Sequence, residues 1–389
     1  MRIAELKTYL VRIPLCKPFR HASYTRTSTD NIIVRCVLED GTIGFGEGVP
    51  REYVTGETTE SALELLQQSD LRSQLEPCGD FTRAVAIAQR LQLKPIAGDE
   101  RRCRGNAARC ALEMALLDTY GRRFGQSLSS VVNMVAPDLL EAKPWVRYSG
   151  AITTGALGFK IRMAALGMWL YGFKQIKVKV GIAGHDDVAR LRSIRKRVGK
   201  KMDVRIDANE AWSSRDVVQR ILELRPFDIS AVEQPVPHED VACLAEVRKE
   251  AGLPLMLDES LCGEVDAERA ADGGWCDLFN IRLSKCGGFI PSLRLAQFAR
   301  ARGLGYQLGC QIGETALLSA AGRHFAANVC GLRYVEGSYD RHLVREALGT
   351  RNLTFGWGGW ARALTGPGLG VEVDPAALER VTLRWQSIL

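Results

Sequence analysis

The chain has 389 residues, 46% hydrophobic and 25% charged, which is ordinary globular composition and enough for one barrel plus a smaller domain. A net charge of +7 spread over scattered basic residues argues against a nucleic-acid protein, and the densest basic run, RSIRKRVGKK at 192–201, falls where a surface helix belongs and reads as its solvated face. Eleven cysteines without a C-x-x-C or a zinc spacing, and no run of about 18 apolar residues, exclude a disulfide scaffold and a membrane-spanning helix.

Cys16, Cys36, Cys110, Cys310 and Cys330 lie in apolar runs, so reduced, mostly buried thiols in a cytoplasm are expected. The first residues, MRIAELKTYLVRIPL, are broken by charge and do not read as a targeting segment. Alternating patterns at 2–13 and 31–38 predict strands, and Asp40-Gly41 marks a tight turn into IGFGEGVP, giving an antiparallel meander. Helices are predicted near 58–70, 80–92 and 105–124, the last stopped by Gly125. Residues 1–130 therefore read as an α+β domain. From about 144 the pattern changes to strand then helix, with strands at 146–151, 174–180, 203–207, 229–234, 254–258, 278–284, 305–309 and 332–336. Regular alternation implies parallel pairing with right-handed crossovers, and eight such strands imply closure into a barrel spanning 144–350. The tail, 351–389, carries GWGGW, GPGLG and VEVD and is expected to return to the first domain. GFGEG, GWGGW and GPGLG match neither G-x-G-x-x-G nor a P-loop and read as turns.

Lys179, Asp207, Glu233, Asp258 and Lys285 each follow an apolar strand run, at gaps of 28, 26, 25 and 27 residues. That is the period of a strand-loop-helix-loop unit, and a (β/α) barrel gathers such residues at the C-terminal mouth of its strands. The acids sit in RIDANE, AVEQP and MLDES with no His or Cys beside them, a set of hard oxygen donors suited to Mg²⁺, with Mn²⁺ as the alternative ion. Lys177 and Lys179 are two apart on one strand and project from the same face. Two adjacent ammonium groups disfavour each other's charge, which would lower the pKa of one toward the range a general base needs. Lys285, in NIRLSKCGG, approaches from the sixth strand.

The K-x-K, D-x-N, E-Q-P, D-E-S and K-C-G-G segments, in this order and spacing, resemble the enolase superfamily, and specifically its muconate-lactonizing-enzyme subgroup. The resemblance covers nearly the whole chain. It implies an N-terminal α+β capping domain on a modified TIM barrel, (β/α)7β, with Mg²⁺ on Asp207, Glu233 and Asp258 and acid/base lysines at Lys179 and Lys285, Lys177 standing beside them. The implied chemistry is abstraction of the proton α to a carboxylate, with the enediolate held by metal and lysines. None of His21, His185, His238, His324 and His342 falls at the end of barrel strand six or seven, which disfavours a mandelate-racemase-like site with a histidine base.

Steps beyond the enolate are less legible. The eighth strand reads YVEGSYD, where Glu336 stands for the first acid of the D-x-D of dipeptide epimerases and Ser338 replaces the second, while Glu336 loosely matches a glutamate of cycloisomerases. The seventh-strand segment GCQIGETALLS offers Gln311 and Glu314, and the capping loops at 18–27 and 50–58 offer Arg20, His21, Tyr24, Arg51 and Tyr53 as substrate contacts. A muconate-like cycloisomerase stands slightly ahead of a racemase or epimerase of an amino-acid derivative or dipeptide, with an o-succinylbenzoate synthase-like dehydratase as a further alternative. A Schiff-base barrel using Lys177 or Lys285 and a non-catalytic binding barrel are the competing classes. The expected partner is a small-molecule carboxylate, with neither nucleic acid nor membrane, and self-association into a homo-oligomer is anticipated.

Overall fold

A computed structural model describes residues 1–20, 25–153 and 157–389. Strands β1 (Ile3–Arg20), β2 (Thr25–Leu38) and β3 (Ile43–Gly48) form an antiparallel meander. The first two run well beyond the predicted 2–13 and 31–38: Phe19 pairs with Arg26 and Arg20 with Thr25, so residues 18–20 and 25–27 of the expected loop belong to these strands. Helices α1 (Thr59–Gln68), α2 (Phe81–Arg90) and α3 (Asn106–Phe124) follow as the sequence predicts. Thr58 and Asp80 cap the first two, and Gly125 in the left-handed region ends the third.

GFGEG is a strand, not a turn. Gly44, Gly46 and Gly48 share the face of β3 against α3, where a Cβ on Gly46 would collide with the Ala111 carbonyl and one on Gly48 with that of Ala107. The alternate face presents Glu47, whose carboxylate accepts from Asn31 Nδ2 (2.7 Å), the Thr315 N–H (3.0 Å) and the Leu318 N–H (3.1 Å). Those last two amides open a barrel helix, so Glu47 caps it from the other domain. Gly46→Ala is expected to cost about 1–3 kcal/mol by pushing β3 off α3; a urea midpoint equal to that of the wild type would remove the close-packing account.

The barrel strands are β4 (Gly150–Ile152), β5 (Gln175–Lys179), β6 (Asp203–Asp207), β7 (Ile229–Glu233), β8 (Leu255–Leu257), β9 (Leu278–Ile281), β10 (Gly305–Leu308) and β11 (Leu332–Val335). They hydrogen-bond in sequential order as one eight-stranded sheet whose neighbours run parallel. The Ser149 N–H donates to the Val335 carbonyl (2.8 Å), linking the two ends of the sheet. Buried Ile176, Val178, Val204 and Ile206 show the apolar runs of a parallel sheet covered on both faces. Between strands lie α4 (Phe159–Leu170), α5 (Asp187–Val198), α6 (Val217–Leu224), α7 (Leu244–Ala251), α8 (Glu264–Gly273), α9 (Phe289–Ala301) and α10 (Ala316–Asn328). Only the short turn of helix Asp340–Leu343 follows β11 directly, which gives the (β/α)7β form. Glu113 of α3 accepts the Phe289 and Ile290 N–H groups (2.5 and 3.3 Å), a second cross-domain cap, here on α9.

After α11 (Pro375–Val381), β12 (Thr382–Ser387) pairs antiparallel with β1. GWGGW contains the turn Trp357–Gly359. All eleven cysteines are free thiols; Cys36 and Cys110 are buried, whereas Cys16, Cys310 and Cys330 are only half-buried. The basic run at 192–201 lies largely on α5, with Arg192, Lys196 and Arg197 exposed. Among the described residues no helix is long and apolar enough to cross a membrane.

Candidate active site

Parallel register aligns the mouth. Lys179 pairs with Asp207, and Asp207 with Glu233, at the last positions of β5, β6 and β7. Glu233 pairs with Met256, so Asp258, two residues on, returns to the same face. Lys285 enters from the loop after β9, four strands from β5 in the eight-strand order.

The three acids are almost completely buried and none lacks a cation. Lys177 Nζ lies 3.3 Å from Asp207, 3.2 Å from Glu233 and 2.9 Å from Glu336. Asp258 contacts Arg282 through one oxygen and Lys285 Nζ, at 2.8 Å, through the other. Lys285 also donates to the carbonyls of Asp258 (2.6 Å) and Asn280 (2.9 Å). Gln234 holds the Asp258 loop: its side-chain oxygen accepts the Asp258 and Ser260 N–H groups (2.9 and 3.2 Å) and its amide donates to Ser260 Oγ (2.7 Å). Gln234, Asn209 and Glu210 have positive φ, so left-handed backbone clusters at the carboxyl ends of β6 and β7, as it does at functional sites.

These surroundings separate the lysines. Burial alone would lower the Lys177 pKa, but Glu233, Glu336 and Asp207 together raise it well above the ordinary lysine value. The expectation that the pair lowers one member falls on Lys179, whose pKa is lowered by burial, with Lys177 adding to this and Asp207 opposing. Burial likewise lowers Lys285. Lys177 is therefore a fixed ammonium that neutralises acids, and Lys179 and Lys285 are the groups nearer to proton exchange.

A divalent cation is tested by the donors present. Glu233 Oε2 is buried without a hydrogen-bond partner, and Asp207, Glu233 and Asp258 offer only hard oxygens. Lys177 and Arg282 hold the acids as ion pairs, and among the described residues no three acidic, Cys or His groups stand close enough to surround an ion. The donor set fits Mg²⁺, and a cation taking Asp258 would replace the Arg282 charge.

The peripheral candidates divide. Tyr53 is half-buried, with the Arg26 guanidinium 5.8 Å from its ring centre. Arg51 is buried, donating to Thr29 Oγ1 (2.7 Å) and the carbonyls of Pro50 and Ile312 (both 2.6 Å), so it ties the capping domain to the loop after β10. His21 and Tyr24 lie outside the described residues, and Arg20 is placed only as the last residue of β1. Glu314 accepts the Gln311 N–H (2.7 Å); burial pushes its carboxyl up to about 8. Glu336 receives Lys177 and, in closer contact, Arg205, which stacks 4.4 Å from the Tyr334 ring centre.

Two family models match the chain: Mandelate racemase / muconate lactonizing enzyme, N-terminal domain, over residues 3–132, and Enolase C-terminal domain-like over 160–377. The chain belongs to this family of the enolase superfamily. Among its relatives, an N-succinyl-L-Arg/Lys racemase of Bacillus cereus is 28% identical over 386 residues, covering 98% of each chain. A hydrophobic dipeptide epimerase of Enterococcus faecalis is 30% identical over 84% of this chain and 87% of its own. The crystal structure of the B. cereus racemase superposes with a TM-score of 0.85 at 27% identity, and that of a Cytophaga hutchinsonii dipeptide epimerase complexed with Mg and D-Ala-L-Val with 0.84 at 25%, each covering both chains completely.

Three buried groups of the mouth escape the sequence reading. Arg205 sits two residues before Asp207, so the alternation that relates Lys177 to Lys179 puts it on the same face one layer down. Arg282 follows Asn280 by the same step. Glu259, beside Asp258, accepts Asn209 Nδ2 (3.3 Å), and burial together with Asp207 and Glu210 pushes its carboxyl up to about 8.

Proposed function

We propose that the chain is a Mg²⁺-dependent racemase or epimerase of an amino-acid derivative, acting on an N-acylated amino acid through an enediolate. The observation that carries the racemase reading is the placement of Lys179 and Lys285, both with lowered pKa, four strands apart across the acids. Groups so placed meet opposite faces of a carbon held between them, one removing the α-proton as neutral amine and the other returning a proton as ammonium. Mg²⁺ on Asp207, Glu233 and Asp258 would neutralise charge developing on the substrate carboxylate. Lys177 would supply a fixed positive charge beside Asp207 and Glu233.

The sequence alone puts cycloisomerisation slightly ahead; the relatives' activities support the racemase and epimerase alternative better. The eighth strand supports an N-acylated substrate. Glu336 is already neutralised by Lys177 and Arg205, and Ser338 Oγ accepts from Arg323 (2.8 Å). A substrate ammonium placed beside Glu336 would face the two cations already paired with it, whereas an amide nitrogen carries no charge to satisfy.

The test is α-proton exchange in D₂O with Mg²⁺ for N-succinyl amino acids against dipeptides with a free amino terminus. The expected kcat/KM for dipeptides is roughly 100-fold lower or more, the size of leaving a charged group unpaired. Equal exchange of both classes would overturn the N-acyl reading, and exchange of neither, with muconate lactonised instead, would restore the cycloisomerase.

A further inference from the structure

Outside the mouth, a cavity of about 330 Å³ lies between α2 and α3 of the capping domain and α8 and α9 of the barrel. That is the size of a small-metabolite site. Five arginines line it, Arg90, Arg101, Arg102, Arg109 and Arg294, against one acid, Glu264. Two of the five are committed. Arg101 pairs with Asp266 at 2.8 Å, and Arg109 pairs with Glu113 at 3.0 Å and donates to the Gly287 carbonyl (2.6 Å). Arg102 and Arg294 have no ion-pair partner among the described residues, and both are exposed. Arg102 is also held in the left-handed region, at φ 52°, where a non-glycine residue is uncommon. Leu91, Leu295 and Phe298 supply apolar wall.

The cavity touches the segment that carries Lys285. Cys286 and Gly287 form part of its wall, and so does Asn106, whose Nδ2 donates to the carbonyls of Lys285 and Cys262, both at 2.7 Å. An occupant bridging Arg102 and Arg294 would therefore bear on the loop that positions Lys285, without entering the mouth.

We propose that this cavity is a second binding site, for a small organic anion with an apolar body, and that its occupancy tightens the Lys285 loop. Uncommitted guanidinium groups favour carboxylate or phosphate, and the apolar wall distinguishes such a ligand from a bare ion. Calorimetric titration with phenyl phosphate, benzoate and inorganic phosphate, at constant ionic strength balanced with chloride, tests it on the intact chain. Saturable binding of phenyl phosphate or benzoate, tighter than that of inorganic phosphate, is expected, and whichever saturates first tells a phosphate ligand from a carboxylate one.

The double variant Arg102→Gln/Arg294→Gln is expected to weaken that binding roughly tenfold or more, since each guanidinium supplies a charge-assisted hydrogen bond. Both side chains are exposed, so the thermal midpoint should stay put. Benzoate bound only at the mouth would be indifferent to the double variant. No saturation by any probe, or affinities unchanged in the variant, would overturn the site. Amide hydrogen exchange over 285–288 should slow when phenyl phosphate binds; binding without that protection would overturn the link to Lys285.

Discussion

Lys179→Ala is expected to lose α-proton exchange with one enantiomer of the substrate while keeping it with the other, and Lys285→Ala to show the opposite loss. Each loss should be about 10²–10⁴-fold, the contribution of one positioned acid or base. Their opposed placement across the acid cluster is the reason for the selectivity. Exchange also reads their protonation. A base must be neutral, and burial lowers both pKa values below the ordinary lysine value of about 10.4, so the neutral form is present at lower pH than in an exposed lysine. Proton-abstraction rate should rise with pH along a limb centred below that value. Lys177→Ala should behave differently, because it removes a fixed charge shared by Glu233, Glu336 and Asp207 and so impairs both enantiomers alike. Two lysine variants that each slow both enantiomers equally would replace the two-base scheme by one base and one stabilising ammonium. Wild-type exchange in a variant lacking both lysines would eliminate either scheme.

Periodicity along the chain made the barrel legible. Each strand residue stands at its neighbour's level because parallel register repeats, so the spacing of Lys179, Asp207 and Glu233 translated directly into a ring. Partnerships between distant segments were not legible. Glu336 reads as a free substrate contact until Arg205, 131 residues earlier, and Lys177, 159 residues earlier, are seen around it. The same is true of Arg51, which a loop reading offers to the substrate but which the Ile312 carbonyl, 261 residues away, holds in the domain junction. GFGEG failed for a related reason. Three glycines in five residues point to turn chemistry, whereas here the lack of a side chain lets β3 lie against α3. The strand beyond 13 is not legible because Pro14 and the charged residues after it interrupt the alternation, while backbone pairing with β2 resumes from Phe19.

Exhaustive chelation is expected to abolish exchange and Mg²⁺ to restore it, with Mn²⁺ the alternative ion. The individual acids separate metal binding from folding. Asp258→Asn removes the carboxylate shared by Arg282 and Lys285, leaving buried cations with a neutral partner, so it should cost roughly 3–5 kcal/mol of stability as well as metal affinity. Asp207→Asn carries a smaller stability cost, because Lys177 retains Glu233 and Glu336. Glu233→Gln is the cleanest variant: Lys177 keeps Asp207 and Glu336, and the amide nitrogen can take the place of the one oxygen that has no hydrogen-bond partner. It should fold normally and bind Mg²⁺ about tenfold more weakly or worse by calorimetry. A Glu233→Gln protein with unaltered Mg²⁺ affinity would remove that residue from the ligand set, and full activity in the chelated wild type would remove the metal from the reaction altogether. In that case Arg282 and Lys177, already seated on the acids, would be the charges left to face a substrate carboxylate.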